Sequence, residues 1–327
     1  METKYLTPFK LLNQEPSLLG GSTPLFPAKY SKLLTLGNNL NESRKDDSIK
    51  QLYSIFENNF SIHPEYLHLS LGCSMAFFES LLVLKKYCSK IVFEIPYYEP
   101  YVAAAKLLNF NISYSQLVTQ IDFSGFDKDS IACLSNPNFF TGRKLNDEQL
   151  GILSQNYKYL LIDEVFFSSF SNQNKLFSNF FSDNVIKINS LSKSMGLSML
   201  RFGWVHSNPI IINELKKLSL LTFTDYPTPS LRLAVQILSN YQTILKEIKQ
   251  QFKEGRNLIR SHLDQFQSIQ LSHPFDEGHF GSFESRLELR ELCLNSKLFG
   301  LDHCWRFRID KSIEDLNKLL IRLDFRK

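Results

Sequence analysis

The stretch that decides the fold runs Asn184-Val185-Ile186-Lys187-Ile188-Asn189-Ser190-Leu191-Ser192-Lys193-Ser194-Met195-Gly196. Its first five residues are typical of a buried strand, and the serines, lysine and glycine follow just beyond the predicted end of that strand. Eight positions after Lys193 comes Arg201, in the segment Leu200-Arg201-Phe202-Gly203. The pattern therefore places a lysine and an arginine together at the end of a strand.

These residue types fit one chemical task, a lysine that forms a Schiff base with the aldehyde of pyridoxal phosphate. Lys193 must lose its proton to react, and Arg201 beside an apolar strand supplies both the nearby cation and the desolvation that favour this. Ser190, Ser192 and Arg201 can hold the cofactor's phosphate, and Gly196 permits a tight turn. The alternative is a surface lysine and a solvated arginine, which a short Ser-x-Ser-Lys match alone does not exclude.

The segment resembles the S-x-S-K-x-x-G-x-x-x-x-R-x-G motif of the class I and II, or fold-type I, aminotransferases. Within them it is similar to the branch of histidinol-phosphate aminotransferase and threonine-phosphate decarboxylase. The resemblance spans residues 60–325 and implies a pyridoxal-phosphate-dependent aminotransferase acting on an amino acid or an amino-acid-like substrate. A decarboxylase or other lyase resembling threonine-phosphate decarboxylase is the first alternative, and a non-catalytic cofactor-binding module is the second.

Size and composition agree with an ordinary globular enzyme. The chain has 327 residues, 43% of them hydrophobic, and a net charge of +4 without long runs of one sign, which does not indicate a nucleic-acid partner. Without a run of about 20 apolar residues or a signal-peptide segment, the sequence predicts a cytoplasmic protein with no membrane partner. Five cysteines without a C-x-x-C pair suggest neither a disulfide framework nor a metal site.

Helix and strand patterns alternate from residue 46 onward, which predicts an α/β fold. Strands are predicted at residues 66–71, 90–95, 111–115, 130–134, 159–162 and 185–188, and helices at 47–59, 77–87, 101–108 and 147–155. We expect a three-layer sandwich with a mostly parallel central sheet, forming a large cofactor-binding domain over residues 46–230. In such sheets ligands lie beyond the carboxyl ends of the strands, where each motif discussed here is placed.

Two further segments complete the predicted organisation. Residues 1–45 are rich in proline and glycine and read as an N-terminal arm that contributes to the small domain. Residues 231–327 form a C-terminal small α+β domain. Its predicted elements are a long helix at 231–266, strands at 278–284 and 305–309, and helices at 286–298 and 313–323. The resemblance also implies a homodimer, with the arm reaching toward the partner.

An acid for the cofactor's ring nitrogen is expected at Asp163. The ring acts as an electron sink only while its nitrogen stays protonated, which requires a buried carboxylate nearby. Asp163 follows the apolar run at residues 159–162, and the segment Ile162-Asp163-Glu164-Val165-Phe166 resembles the family's D-E-A-Y segment. The alternative role for this aspartate is that of an ordinary turn residue at the end of a strand.

Two other motifs suggest contacts to the phosphate and the ring. Gly72, Cys73 and Ser74 resemble the family's G-x-x-E turn, in which backbone amides at a helix start bind phosphate, although Met75 replaces the usual acid. The segment Pro96-Tyr97-Tyr98-Glu99-Pro100-Tyr101 resembles the family's P-x-Y pattern and indicates Tyr98 as the ring that stacks on the cofactor. An aromatic core cluster is the alternative for that segment.

The substrate's carboxylate calls for an arginine, whose planar fork matches it. Arg308, in Phe307-Arg308-Ile309-Asp310, resembles the arginine of the family's C-terminal R-I-S segment and is the preferred candidate. Arg306 lies two residues earlier on the same side of the predicted strand and competes for this role.

The resemblance departs from the family in one place that matters. In the family's N-P-N-N-P-T-G run, the asparagine directly before P-T-G bonds the cofactor's ring oxygen. Here the run reads Asn136-Pro137-Asn138-Phe139-Phe140-Thr141-Gly142, so Phe139 and Phe140 replace that asparagine and the proline after it. We expect Asn138, or else Asn136, to reach the ring oxygen instead. Phe166 likewise replaces the tyrosine that shares this oxygen in the family. We interpret these changes as the mark of a specialised or weakened catalyst.

Overall fold

A computed structural model describes residues 26–34, 47–116, 126–171, 175–263, 270–271, 278, 280–284, 294–295, 299 and 304–309. Most of the predicted arm and the whole of the predicted helix at 313–323 lie outside these residues. The division of the chain into domains at residues 45 and 230 stays a prediction.

Seven strands form one sheet in the order β1-β7-β6-β5-β4-β2-β3. The strands are Leu67–Ser70 (β1), Lys90–Glu94 (β2), Asn111–Ser115 (β3), Ser130–Ser135 (β4), Tyr159–Asp163 (β5), Val185–Ser190 (β6) and Gly203–His206 (β7). Neighbours are parallel except where β7 pairs antiparallel with β1 and β6. The predicted α/β fold with a mostly parallel central sheet is therefore confirmed.

Helices cover this sheet on both faces. They are Ser48–Phe60 (α1), Cys73–Leu84 (α2), Glu99–Leu107 (α3), Asp147–Asn156 (α4), Leu191–Ser194 (α5), Pro209–Thr222 (α6), Thr228–Ser239 (α7) and Tyr241–Leu263 (α8). Successive residues of a strand point to opposite faces. Accordingly Leu161 packs in the core with α2, α3 and α6, whereas Leu160 and Ile162 pack with α4. This is the expected three-layer arrangement.

Most predicted boundaries agree with the structure to within two residues, and three predicted helices differ by more. Helix α2 begins at Cys73 and not at 77, because Gly72 adopts a φ of +86° and the helical backbone starts directly after it. The single helix predicted at 231–266 is two helices that are separated at Asn240. The predicted helix at 286–298 is contradicted at residues 294–295, which form a strand.

A second sheet is formed late in the chain, in the order β10-β11-β9-β8. Its strands are Gln270–Leu271 (β8), Phe280–Glu284 (β9), Leu294–Asn295 (β10) and Cys304–Arg308 (β11), and every pairing is antiparallel. Strands β9 and β11 fall where the sequence predicted strands. Among the helices of the described part, none is long and apolar enough to cross a membrane.

Candidate active site

The predicted site residues gather at one edge of the central sheet. Strands β1, β4, β5 and β6 run in the same direction, so their carboxyl ends meet at that edge. Gly72 follows β1, Asn138 follows β4, Asp163 ends β5, and Lys193 follows β6. Residues that are up to 121 positions apart in sequence are thus brought to one place by the parallel topology alone.

The lysine segment folds as a sharp turn into one helical turn. The side-chain oxygen of Ser190 accepts a hydrogen bond from the backbone N–H of Ser192 at 3.3 Å, which starts α5 directly at the end of β6. Gly196 ends the turn with a φ of +73°, which a glycine adopts without strain. Ser190 and Ser192 are buried, whereas Lys193 is partly exposed. The turn therefore presents the lysine at the sheet edge while its neighbours stay inside.

Asp163 is a buried carboxyl, 8% exposed, with hydrogen-bond donors on both oxygens. Its Oδ1 accepts from the backbone N–H of Val165 at 2.9 Å and from the Cys73 thiol at 3.4 Å. Its Oδ2 accepts from the Tyr101 hydroxyl at 2.8 Å. Burial raises the pKa of Asp163, while these donors and the charge of Lys193 act to lower it. The lysine and the aspartate therefore interact electrostatically.

Gly72 and Arg201 face one another where a phosphate is expected. The Arg201 guanidinium donates to the carbonyl oxygen of Leu71 at 3.0 Å. A Cβ added at Gly72 would lie 2.7 Å from the Nη2 atom of Arg201 and would fill this space. The first amides of α2, at Cys73 and Ser74, have no partner within the helix, as at any helix start. The turn thus offers amides and a guanidinium to an anion.

Tyr98 directly precedes α3 and faces other aromatic rings. Its ring makes edge contacts with Tyr101, at 4.9 Å between centroids, and with Phe139, at 5.9 Å. Burial raises the pKa of Tyr98 to about 12. The charges of Asp163 and Cys73 act in the same direction and those of Arg201 and Arg306 in the opposite one. The tyrosine is therefore within electrostatic reach of all these groups, as a residue that lines the site should be.

Asn138 is placed at the sheet edge, but its side chain is engaged in its own loop. Its Oδ1 accepts from the backbone N–H groups of Phe140 and Thr141, at 3.0 and 2.9 Å, and its Nδ2 donates to the carbonyl oxygen of Pro96. Asn136 is bonded to Leu145 through both ends of its amide. In this conformation both amides hold the loop in shape. The contact of either one to a ring oxygen stays a prediction.

Beside that loop lies a cluster of buried phenyl rings, which we term the aromatic wall. It consists of Phe139, Phe140, Phe166, Phe170, Phe280 and Phe299, and it packs against Tyr98 and Cys73. Phe140 is fully buried and Phe166 is 3% exposed. The positions at which the family carries polar groups for the ring oxygen are thus part of an apolar cluster that includes Phe280 of the second sheet.

The two candidate arginines lie on β11. Arg306 is buried, donates from Nη1 to the carbonyl oxygen of Phe139 at 2.8 Å, and lies 5.8 and 5.3 Å from the ring centroids of Phe140 and Phe280. Its guanidinium is therefore inserted into the aromatic wall. Arg308 pairs with Phe280 across the sheet, and its side chain lies outside the described part of the structure. The preference for Arg308 as carboxylate ligand stays a prediction.

Sequence reasoning missed Tyr101, which donates to Asp163. Tyr101 belongs to the first turn of α3, whereas Tyr98 precedes that helix with an extended backbone. Because the partner of Tyr101 is 62 residues away, no local pattern indicated the contact.

These residues fit pyridoxal phosphate. The buried carboxyl of Asp163 suits the ring nitrogen, and the helix start at Gly72 with the Arg201 guanidinium suits the phosphate. Lys193 suits the aldehyde, and the Tyr98 ring lies beside these groups. Such a site calls for no metal ion. Within the described ranges there is also no group of three or more His, Cys, Asp or Glu residues that could hold one.

Comparisons with known proteins agree with this geometry. Residues 45–287 match the family model described as aminotransferase class I and II. Histidinol-phosphate aminotransferase of Blochmanniella floridana is 28% identical over 256 residues, 70% of each chain. The enzyme of that name from Buchnera aphidicola subsp. Schlechtendalia chinensis is 32% identical over 167 residues, which are 47% of this chain and 45% of the relative.

Solved structures show the same fold at lower identity. A double mutant of Thermus thermophilus aspartate aminotransferase aligns with a TM-score of 0.79 and 14% identity, covering 99% of this chain and 96% of the other. YbdL from Escherichia coli, described as having a methionine aminotransferase function, aligns with a TM-score of 0.80 and 13% identity, again over 99% and 96%.

Proposed function

Because this chain belongs to the aminotransferase class I and II family and is thus a pyridoxal-phosphate-dependent aminotransferase, we propose that Lys193 is the residue that carries the cofactor. The observation that supports this most strongly is the convergence of Lys193, Asp163 and the Gly72 turn at one edge of the sheet. We propose that the amino donor is an amino acid or an amino-acid-like compound.

Each residue has a separate task in this proposal. When bound, pyridoxal phosphate supplies the electron sink for the bond that breaks at the substrate's Cα. The Lys193 Nζ would take the proton from the substrate's Cα as general base and later give up a proton as general acid. Asp163 binds the protonated ring nitrogen, and Tyr98 packs against the ring. The amides of Cys73 and Ser74, with Ser190, Ser192 and Arg201, hold the phosphate.

The choice between transamination and loss of carbon dioxide depends on how the substrate's carboxylate is held. A guanidinium that clamps the substrate's carboxylate would favour removal of the Cα proton by Lys193. We assign this clamp to Arg308, and Arg306, two residues earlier on β11, is the competing candidate. A carboxylate that no guanidinium clamps would favour loss of carbon dioxide.

An end-point assay tests the function. Purified protein loaded with cofactor is incubated with a keto-acid acceptor and one donor from a panel of histidinol phosphate, aspartate and methionine, the compounds in the names of similar proteins. Formation of a new amino acid in equal amount to the oxidised donor supports the proposal. Release of carbon dioxide without amino transfer would instead support a decarboxylase. Lys193→Ala should abolish turnover, whereas Lys217→Ala, at an exposed lysine on α6, should not.

We also propose that the protein acts as a homodimer in the cytoplasm. The family resemblance supports the dimer, as do three exposed apolar side chains near the site and on α6: Met199, Leu220 and Leu221 are 90%, 64% and 84% exposed. The cysteines described in the structure, Cys73, Cys88 and Cys133, form no disulfide, which supports the compartment. Size-exclusion chromatography with light scattering should give twice the chain mass of 38.0 kDa, and a mass of one chain would contradict the dimer.

A further inference from the structure

The Asp163 carboxyl has a neighbour for which the proposed function gives no task. The hydroxyl of Tyr101 donates to Asp163 Oδ2 at 2.8 Å, and both side chains are at least nine-tenths buried. A hydrogen bond from a neutral donor to a buried carboxylate is stronger than one between neutral groups, and it stabilises the ionised form. Tyr101 thus acts on the group that is expected to bind the cofactor's ring nitrogen.

The Tyr101 ring is held rigidly. It stacks on Phe77 with 3.7 Å between centroids and an interplanar angle of 6°, and the edge of Tyr98 packs against it. Its backbone N–H donates to the carbonyl oxygen of Tyr98 at the start of α3. Since the ring cannot swing away, its hydroxyl fixes the direction in which Oδ2 points. A donor on a rigid element positions its partner more precisely than one on a mobile side chain.

Two further donors act on the other carboxyl oxygen. The backbone N–H of Val165 and the thiol of Cys73 both donate to Oδ1, and the Tyr101 hydroxyl lies 3.5 Å from the Cys73 sulfur. Donors from the loop after β5, from α2 and from α3 therefore converge on one carboxyl. A carboxylate accepts about four hydrogen bonds, so these three contacts leave capacity for a ring N–H.

The charge states fit the same role. Burial raises the pKa of both Tyr101 and Cys73 well above their ordinary values, so both remain protonated and can donate. Burial also raises the pKa of Asp163, and the donors oppose this effect. The titratable groups that act on Asp163 from the surrounding elements are Cys73, Tyr98, Tyr101, Cys133, Glu164 and Lys193.

We propose that Tyr101 is a positioning residue, which holds the Asp163 carboxylate in the orientation and charge state that the cofactor's ring nitrogen requires, with the Cys73 thiol as a weaker second donor. This inference rests on the proposed function, since it assumes that Asp163 meets the ring. It assigns Tyr101 no contact with the substrate or with the reacting atoms.

The test is Tyr101→Phe, which removes the hydroxyl and keeps the ring that stacks on Phe77. We expect the Kd for pyridoxal phosphate, measured by absorbance titration of the cofactor-free protein at neutral pH, to rise about tenfold. Without this donor, Asp163 should take up its proton at a higher pH. The loss of cofactor affinity on acidification should therefore begin at a higher pH in the variant than in the wild type.

A matched control is Tyr157→Phe, which removes the hydroxyl of another buried tyrosine, two residues before the other end of β5. It should change neither the Kd nor its pH dependence. Cys73→Ala should raise the Kd by a smaller factor, about threefold, because a thiol is a weak donor. It also provides a second measurement if thermal melting shows that Tyr101→Phe does not fold.

The outcomes separate this inference from the function on which it rests. If the wild type shows no borohydride-stable label at Lys193 after incubation with the cofactor, both the proposed function and the positioning role of Tyr101 are contradicted. If wild type and Tyr101→Phe are both labelled there, with equal Kd values and the same pH dependence, the positioning role alone is overturned. A raised Kd whose pH dependence also shifts, with Tyr157→Phe unchanged, supports it.

Discussion

The two sides of the candidate site differ in chemical character. The side of Asp163 is organised by polar contacts: three donors converge on one buried carboxyl, and a guanidinium faces a glycine-opened helix start. On the side of the aromatic wall, phenyl rings occupy the positions of the family's polar residues and pack mainly on one another.

This difference indicates a separate task for each side. In the proposed function, the polar side binds the phosphate, keeps the ring nitrogen protonated and carries the aldehyde on Lys193. The wall supplies hydrophobic packing that joins the loop after β4 to the second sheet. We therefore expect changes on the polar side to affect chemistry, and changes in the wall to affect stability first.

The largest effect is expected for Asp163→Asn on the polar side. Loss of a buried charge that faces a cationic ring nitrogen should cost about 3–5 kcal/mol in the transition state, which is roughly a hundredfold to several thousandfold in kcat/KM. Steady-state kinetics with the preferred donor would measure it. A loss of less than about threefold would show that Asp163 does not meet the ring and that the contrast between the sides is wrong.

Phe140→Ala should cost a similar free energy, but in folding stability and not in catalysis. This ring is fully buried between Phe139, Phe299 and the Arg306 guanidinium. Its removal should lower the free energy of unfolding of the cofactor-free protein by about 3–5 kcal/mol. Chemical denaturation would measure the loss, with Leu107→Ala at an exposed position as the control. If kcat/KM fell as much as in Asp163→Asn while stability stayed unchanged, the wall would be catalytic.

Gly72→Ala tests the phosphate turn. The added methyl group would meet the Arg201 guanidinium at 2.7 Å, and the φ of +86° is strained for alanine. We expect cofactor binding to weaken by about 1–3 kcal/mol, measured as the Kd for pyridoxal phosphate. Gly151→Ala is a matched control. Gly151 lies inside α4, and its added methyl group would make an ordinary 3.7 Å contact with the Phe180 ring. Equal Kd values in both variants would argue against a phosphate at Gly72.

The smallest effect is expected for Phe166→Tyr, which returns a hydroxyl to the wall. If the ring oxygen lies beside this position, the new donor should lower the pH midpoint of the bound cofactor's absorbance change by up to about one unit. A spectrophotometric pH titration would measure this. An unchanged midpoint would place the ring oxygen away from Phe166, so that the wall could not account for a specialised site.

The sheet and the polar side could be predicted from sequence because their signals are local. Apolar runs such as the one before Asp163 indicate strands, and a parallel topology then brings the residues that follow them together. The break at Asn240 was missed because the apolar periodicity continues through both α7 and α8. Strand β7 was missed because its first residue, Gly203, was interpreted as part of the lysine motif. The Tyr101 contact was missed because it joins elements far apart in sequence.

The aromatic wall could be predicted only in part. Phe139, Phe140 and Phe166 were recognised as departures from the family's motifs, but their packing against Phe280 and Phe299 depends on how the second sheet meets the loop after β4. No spacing in the sequence predicts that the second sheet packs against this loop. Nor did the sequence show that the Asn138 amide is engaged in its own loop, since most of its partners are backbone groups, which any residue type carries.

The most direct test of the whole account is chemical labelling of the cofactor's attachment site. Purified protein is incubated with pyridoxal phosphate, reduced with borohydride, digested and mapped by mass spectrometry. The account predicts a stable pyridoxyl group on the peptide that contains Lys193, and none on that peptide in Lys193→Ala. A protein that stays colourless and unlabelled, or a label confined to another lysine, would contradict it.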